Sequence, residues 1–334
     1  MITRRKFLKQ GSLALTALSL PISLSSKTEI VTMRKNEIFD VIIIGGSYSG
    51  LSAAMSLGRA LRKVLIIDSG KPCNIQTPFS HNFLTQDGKT PKEITEIALE
   101  QVKKYKTISF YNGLANSGKK NENGYEIITE TGNKFESKKI IFATGVKDII
   151  PNIKGFSECW GKSVIHCPYC HGYEFKNEKT GILANGDAAF ELGKLINNWT
   201  NALTIFTNGK STISKEDFSK LTKHNINVIE KEIDYISHEN GAINKLFFKD
   251  GTNHEIKAIY ARPKIVQNSE ITKQIGCEIM DNNIIKVNPF QQTTQYGVYA
   301  CGDNSSMIRS VSNAVASGTI AGAMINRELI EETF

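Results

Sequence analysis

Cys167 and Cys170 stand two residues apart in the run Cys167-Pro168-Tyr169-Cys170-His171-Gly172-Tyr173-Glu174. Such a pair can open and close a small disulfide ring, and the thiolate is the form that reacts. The adjacent His171, with an ordinary pKa of about 6.5, can take a thiol proton near neutral pH and then stand beside the thiolate as an ion pair. A zinc site would need a second pair of cysteines or histidines at ligand spacing. Cys73, Cys159, Cys277 and Cys301 are scattered and form no such set, so the reading is a redox couple and no metal. The competing reading is a structural disulfide or an inert buried pair. His166, just before Cys167, could tune it or be satisfied by backbone. Cys301 reads as a small buried residue, and Trp160 and Trp199 as packing residues.

The elements that must carry this pair follow from the apolar pattern. In "FDVIIIGGSYSGLSAAMSLGRALRKVLIIDSG" a buried strand (Val41–Ile44) enters a Gly-rich turn, a helix runs from about Leu51, and a second strand (Val64–Ile67) ends at Asp68. This strand–turn–helix–strand–acid order is the pattern of a dinucleotide fold. Gly45 and Gly46 open the turn, and Gly50 lets helix and strand approach closely. Ser47 occupies the usual middle glycine and narrows the approach to a pyrophosphate. Asp68, 23 positions after Gly45, would accept hydrogen bonds from a ribose. Short strands and turns between Tyr111 and Lys139 read as a meander. The strand Ile140–Phe142 then runs into Ala143-Thr144-Gly145. Asp148–Gly155 reads as a crossing linker, followed by a second strand–turn–helix–strand unit in "TGILANGDAAFELGKLINNWTNALTIFTNGK". After another meander, "ARPKIVQNS" reads as a return linker. The tail is a strand, a Gly302-Asp303 turn and a long helix of small residues.

With 334 residues, 40% apolar and 22% charged, the chain can build two ordinary domains. Its net charge of +8 is not a nucleic-acid signature, because Arg4, Arg5, Lys6 and Lys9 supply half of the excess and the other lysines are interleaved with acids. That basic start precedes an apolar stretch from about Leu13 to Leu24, too short to span a bilayer comfortably. Adjacent arginines followed by Phe7-Leu8-Lys9 resemble the twin-arginine signal, which exports folded proteins. Residues 1–27 are therefore expected to be an export signal. The protein is expected to be periplasmic, with a membrane tether only if the leader persists.

The motifs in this order resemble the low-molecular-weight thioredoxin reductase family of flavoproteins, over residues 37–330. The resemblance implies an α/β fold of two Rossmann-like three-layer nucleotide-binding domains. An FAD-binding domain (37–152 and 264–334) would be split by an NAD(P)-binding-like domain (153–263) that carries the C-x-x-C. It implies FAD as cofactor, held by Gly45, Gly46, Ser47, Gly50, Asp68, Ala143, Thr144, Gly145, Gly302 and Asp303. Asp303 would hold the ribityl chain. The helix start at Ser310 and Val311 would lie near the flavin ring, its positive end favouring the reduced form. By the same resemblance Cys170 faces the flavin, Cys167 exchanges with substrate, His171 is the base, His81 approaches the flavin region, and the chain pairs as a homodimer.

Two features depart from a reductase. In the second Gly-rich turn Ala184 replaces the leading glycine of Ala184-Asn185-Gly186-Asp187, and Thr207 stands where an NAD site carries an acid. Beyond it Asn208-Gly209-Lys210 offers one lysine in place of an arginine cluster, so NAD(P)H is a doubtful cofactor. "CPYCHGYE" resembles instead the dithiol-oxidase branch that closes disulfides in gliotoxin- and holomycin-type natural products. The expected activity is FAD-dependent oxidation of a dithiol through Cys167 and Cys170, with oxygen or another acceptor. The substrate would be a small-molecule dithiol or a protein disulfide. The alternatives are an NAD(P)H-dependent disulfide reductase and a non-catalytic flavin or electron-relay protein.

Overall fold

In the computed structural model, which describes residues 37–334, the first apolar run is the strand β1 (Ile38–Ile44). It lies parallel between β2 (Val64–Asp68) and β6 (Lys134–Phe142), with Ile42 opposite Leu65 and Ile140. Val41 to Ile44 are buried because both edges and both faces of β1 are covered. The helix α1 (Tyr48–Arg59) starts three residues before the expected Leu51. Gly50 reads as turn in the sequence, yet its missing Cβ is what lets the first helical turn settle against the Gly45 carbonyl. After α2 (Pro91–Val102), closed by a Thr90–Glu93 capping box, come β3 (Ile108–Asn112), β4 (Ala115–Asn121) and β5 (Gly124–Thr129). The first sheet runs β3-β2-β1-β6-β5-β4.

From β6 the chain passes through β7 (Val146–Ile149), α3 (Phe156–Cys159), β8 (Val164–Ile165) and the short helix α4 (Pro168–His171). A second unit follows: β9 (Thr180–Leu183), α5 (Gly186–Ile196), β10 (Leu203–Phe206), α6 (Lys215–Lys223) and β11 (Asn227–Ile229). The meander β12 (Ile233–Glu239), β13 (Ala242–Phe248) and β14 (Asn253–Glu255) leads to β15 (Ala258–Ala261). The second sheet is parallel throughout, in the order β11-β10-β9-β15-β8. The return strand β16 (Lys264–Gln267) pairs antiparallel with β7, Val146 opposite Gln267 and Ile149 opposite Lys264. After α7 (Ile271–Gln274), β17 (Val298–Ala300) rejoins the first sheet beside Ile140–Phe142 of β6, and α8 (Val311–Glu331) ends the chain. A mixed sheet with a parallel β3-β2-β1-β6-β17 portion and antiparallel β5 and β4, and a second sheet that is wholly parallel, with helices packed on them, thus match the expected α/β fold class. The leader expected at 1–27 lies outside the described residues. No helix among those described is long and apolar enough to cross a membrane.

The small residues of α8 have a packing reason. A Cβ on Gly318 would collide with the Ser49 carbonyl, and one on Gly322 would lie 2.6 Å from the Ala53 carbonyl. Ser52 Oγ also donates to the Val315 carbonyl at 2.7 Å, so α8 lies tightly along α1. The far end of α8 is tied down by Lys139 of β6, whose side chain is 3% exposed. Its Nζ donates to Glu328 Oε1 at 2.7 Å and to Glu332, while the Tyr299 hydroxyl donates to Glu328 Oε2 at 2.6 Å. Substituting Lys139→Met leaves Glu328 without its cation, and should cost about 3 kcal/mol of unfolding free energy by urea titration. Adding Glu328→Gln to that variant should recover part of the loss.

Candidate active site

Cys167 and Cys170 are joined as a disulfide, with Cα atoms 5.3 Å apart. The ring is set by a single helical turn. Cys167 is its extended N-cap, Pro168 takes the first helical position with its fixed φ, and the Cys170 N–H donates to Cys167 Sγ at 3.2 Å. After reduction the same amide can stabilise a Cys167 thiolate. The turn rests on Trp199. The Tyr169 and Trp199 rings meet edge to face at 5.5 Å, and a Cβ on Gly172 would lie 2.8 Å from Trp199 Nε1 and 2.5 Å from the Pro168 carbonyl. Trp199 is therefore a packing residue that backs the disulfide, as its sequence reading held.

Two histidines flank the pair in different surroundings. His166 is half-buried, its enclosed Nε2 has no hydrogen-bond partner among the described residues, and desolvation of the ring pulls it down to about 4, so it stays neutral. Burial also lowers His171, but Glu174 opposes the shift. Glu174 Oε1 lies 3.5 Å from His81 Nε2, and Asp87 Oδ1 lies 3.7 Å from His81 Nδ1. His81 of the first sheet's loop thus faces Glu174, which follows the C-x-x-C. His171 is the flanking histidine with a carboxylate to steady its protonated form. Glu174 was quoted in the sequence motif without a role, and nothing in its local pattern signals one.

The first Gly-rich turn forms a close-fitting cradle. Gly45 has φ +106°, where an L side chain is strained, and its Cβ would strike the Ala143 carbonyl. Asp68 accepts from Gly46 N at 2.9 Å and from Gly70 N at 3.1 Å. Ser47 is the N-cap of α1 and makes no side-chain cap bond, so the helix start keeps donors for an anion. Gly302 N donates to Ser317 Oγ at 3.0 Å beside this helix, and Ser310 caps α8 through Asn313 N. Asn304, unassigned in the sequence, is wholly buried. Its Nδ2 donates to the Phe142 carbonyl at 2.9 Å and to Thr144 Oγ1 at 3.2 Å, binding the Ala143-Thr144-Gly145 end of β6 to the Gly302-Asp303 turn. Asp303 accepts from Arg309 Nε at 3.2 Å.

The second Gly-rich turn is filled by its own chain. Asn185 Oδ1 accepts from Gly186 N at 2.9 Å, Thr212 N at 2.8 Å and Thr212 Oγ1 at 3.1 Å, and Nδ2 donates to the Lys210 carbonyl at 2.9 Å. The Thr207 hydroxyl donates to the Gly209 carbonyl at 2.6 Å. Among the described residues no group of three or more acidic, histidine or cysteine side chains could hold a metal.

A model of the pyridine nucleotide-disulphide oxidoreductases matches residues 39–318. The chain belongs to that family. It is similar to the thioredoxin reductase tcpT of Claviceps purpurea, 30% identical over 312 residues, 90% of this chain and 97% of the relative. The thioredoxin reductase sirT of Leptosphaeria maculans is 28% identical over 306 residues, 86% of this chain and 94% of its own. Among solved structures, an oxidoreductase from Agrobacterium tumefaciens aligns with a TM-score of 0.83 at 35% identity, over 88% of this chain and 99% of the other. Within this family the protein is an FAD-dependent oxidoreductase acting on sulfur, with Cys167 and Cys170 as its redox pair. The cradle fits that cofactor, because Ser47 leaves the amides at the start of α1 uncapped for a pyrophosphate and Asp68 stands at the same turn.

Two substitutions separate cradle from redox turn. Gly50→Ala drives a Cβ into the Gly45 carbonyl and should yield protein largely free of flavin by absorbance. Gly172→Ala should keep the flavin yet slow its reduction by dithiothreitol about ten- to a hundredfold in stopped flow, because the disulfide is displaced from its backing on Trp199.

Proposed function

We propose that this protein oxidises dithiols to disulfides, delivering the electrons through Cys167–Cys170 and FAD to oxygen. The observation that carries this reading is the contrast between its two Gly-rich turns. The first leaves the start of α1 free for a dinucleotide, whereas Asn185, Lys210 and Thr212 fill the second. Thr207, already spent on the Gly209 carbonyl, offers no carboxylate to a ribose. Electrons then enter from thiols.

The chemistry at sulfur follows from the residues. A substrate thiolate attacks Cys167 Sγ, the Cys167–Cys170 bond breaks, and Cys170 leaves as a thiolate. The second substrate thiolate attacks the substrate sulfur of the mixed disulfide, releasing the product disulfide and a Cys167 thiolate. His171 takes a substrate thiol proton, and Glu174 steadies the imidazolium. When bound, FAD would supply a two-electron acceptor, so that the Cys167 and Cys170 thiolates re-form their bond while oxygen takes up the electron pair and two protons as hydrogen peroxide. FAD is held in this reading by the cradle from Gly45 to Gly50, Asp68, Ala143 to Gly145, the Gly302-Asp303 turn and the α8 start at Ser310 and Val311. We further propose that the protein works outside the cytoplasm, as a homodimer. Its basic, apolar leader supports export, and an exported enzyme has no pool of reduced nicotinamide to use.

Anaerobic dithiothreitol should bleach the flavin, and air should restore it with peroxide formed. Cys170→Ser should abolish the bleaching with FAD still bound, and Cys167→Ser should block turnover. Because burial lowers His171, its neutral form persists as pH falls through about 6.5, so wild-type bleaching should weaken only below that pH. His171→Ala should slow bleaching most near neutrality and least at alkaline pH, where thiols ionise unaided. Rapid reduction by micromolar NADPH without response to dithiols would establish the reductase reading instead. Replacing Arg4 and Arg5 by lysine should trap a fused reporter in the cytoplasm. Export of that reporter through the general secretory route would refute the twin-arginine assignment.

A further inference from the structure

Arg309 lies one residue before the cap of α8, in a stretch otherwise made of small and apolar residues, and neither its sequence position nor the proposed sulfur chemistry uses it. Its guanidinium forks onto Asp148 of β7, Nη1 to Oδ1 at 2.7 Å and Nη2 to Oδ2 at 2.9 Å. Its third nitrogen, Nε, donates to Asp303 Oδ2 at 3.2 Å. All three side chains are nearly buried, at 12%, 11% and 16% exposure. One cation is therefore shared by two carboxylates of different duty. The bidentate half fixes the plane of the guanidinium, and the single bond is aimed at the carboxylate of the Gly302-Asp303 turn.

We propose that Arg309, oriented by Asp148, is a positioning residue that keeps Asp303 ionised so that it can accept a hydrogen bond from FAD. The inference rests on the reading that Asp303 holds the flavin's ribityl chain. A ribityl hydroxyl is a donor, and an ionised carboxylate accepts from it more strongly than a protonated one. Burial raises the Asp303 pKa, the Arg309 charge lowers it, and the Asp148 charge raises it again. The other groups facing this cluster do not compete near neutrality. Desolvation and the Asp303 charge push the Cys73 thiol up to about 11, and burial holds His166 at about 4. The Arg262 charge also faces His166 and helps to lower it. A pH-dependent step in flavin release that Asp303→Asn removes belongs to Asp303.

The sign of the effect differs between the partners. Without Arg309 the Asp303 pKa rises, so its acceptor is present only above the new value and is lost as pH falls through it. Without the Asp148 charge the Asp303 pKa falls, and the acceptor persists to lower pH. A purely structural ion pair would make both substitutions act alike.

Flavin release from the holoprotein, followed by the fluorescence of free FAD on dilution, reads this directly. From about pH 8 to about pH 5.5 the FAD dissociation constant should rise about tenfold in Arg309→Gln and less than about threefold in wild type. Arg309→Lys should stay close to wild type. Asp148→Asn should shift the acid-release midpoint to lower pH, which also tests the proposal if Arg309→Gln does not fold. Adding Asp303→Asn to Arg309→Gln should remove the pH step. A flat Arg309→Gln profile, a step that survives Asp303→Asn, or an upward midpoint shift in Asp148→Asn would overturn the role of Arg309. If Asp303→Asn alone holds FAD as tightly as wild type at every pH, the assignment of Asp303 itself fails.

Discussion

The molecule depends on the pairing of two crossing strands. The chain leaves the first sheet through β7 and returns through β16, and these four-residue strands lie hydrogen-bonded side by side. Both start or finish at the flavin cradle. Strand β7 follows Ala143-Thr144-Gly145 directly, and past β16 Asn268 Nδ2 donates to the Thr144 carbonyl at 2.9 Å. Gln267 Nε2 donates to the Asn304 carbonyl at 3.0 Å, which adds the Gly302-Asp303 turn to the same knot. The placement of the disulfide relative to the cradle is therefore transmitted through a short, polar, backbone-bonded seam, against which Arg309 and Asp148 close.

The same strand–turn–helix–strand unit occurs twice, with opposite outcomes at the turn. In the first, Ser47 does not cap its helix and Asp68 receives two backbone donors, which leaves the helix start as an anion site. In the second, Asn185 spends its whole carboxamide on the loop from Lys210 to Thr212. Both units are equally sound as packing, since Ile182, Leu192 and Ile205 are as buried in the second as Ile43, Leu57 and Ile66 are in the first. On the proposed reading the same fold serves a ligand once and scaffold once, and the difference lies in the side chains at the turn.

Trp199 and Tyr169 back the disulfide turn, while His81, Glu174 and His171 gather polar groups beside it. Proton transfer needs a histidine that can hold its proton for a moment. His166, half-buried and without a partner at Nε2, is held neutral by desolvation, whereas at His171 the Glu174 charge opposes the lowering by burial. The two flanking histidines thus differ by what the fold brings near them.

The redox pair, the order of the Gly-rich turns, both linkers and the small-residue helix were all legible in the sequence, because each is a local pattern. Spacing sets a C-x-x-C ring, apolar runs set parallel strands, and the crossings read at Asp148–Gly155 and at ARPKIVQNS are connections in the structure, although their pairing as β7 and β16 had no signal in the sequence. Even where the boundary moved, at α1, the reason was a single glycine whose role depends on a carbonyl from the preceding turn. Tertiary structure decided what has no local signature. The pairing of Arg309 with Asp148 spans 161 positions, the bond from Asn304 to Phe142 spans 162, and His81 meets Glu174 only across the site. Charges and amides at such separations become partners through burial, which makes an unpaired group costly, and the sequence pattern carries no trace of which partner will answer it.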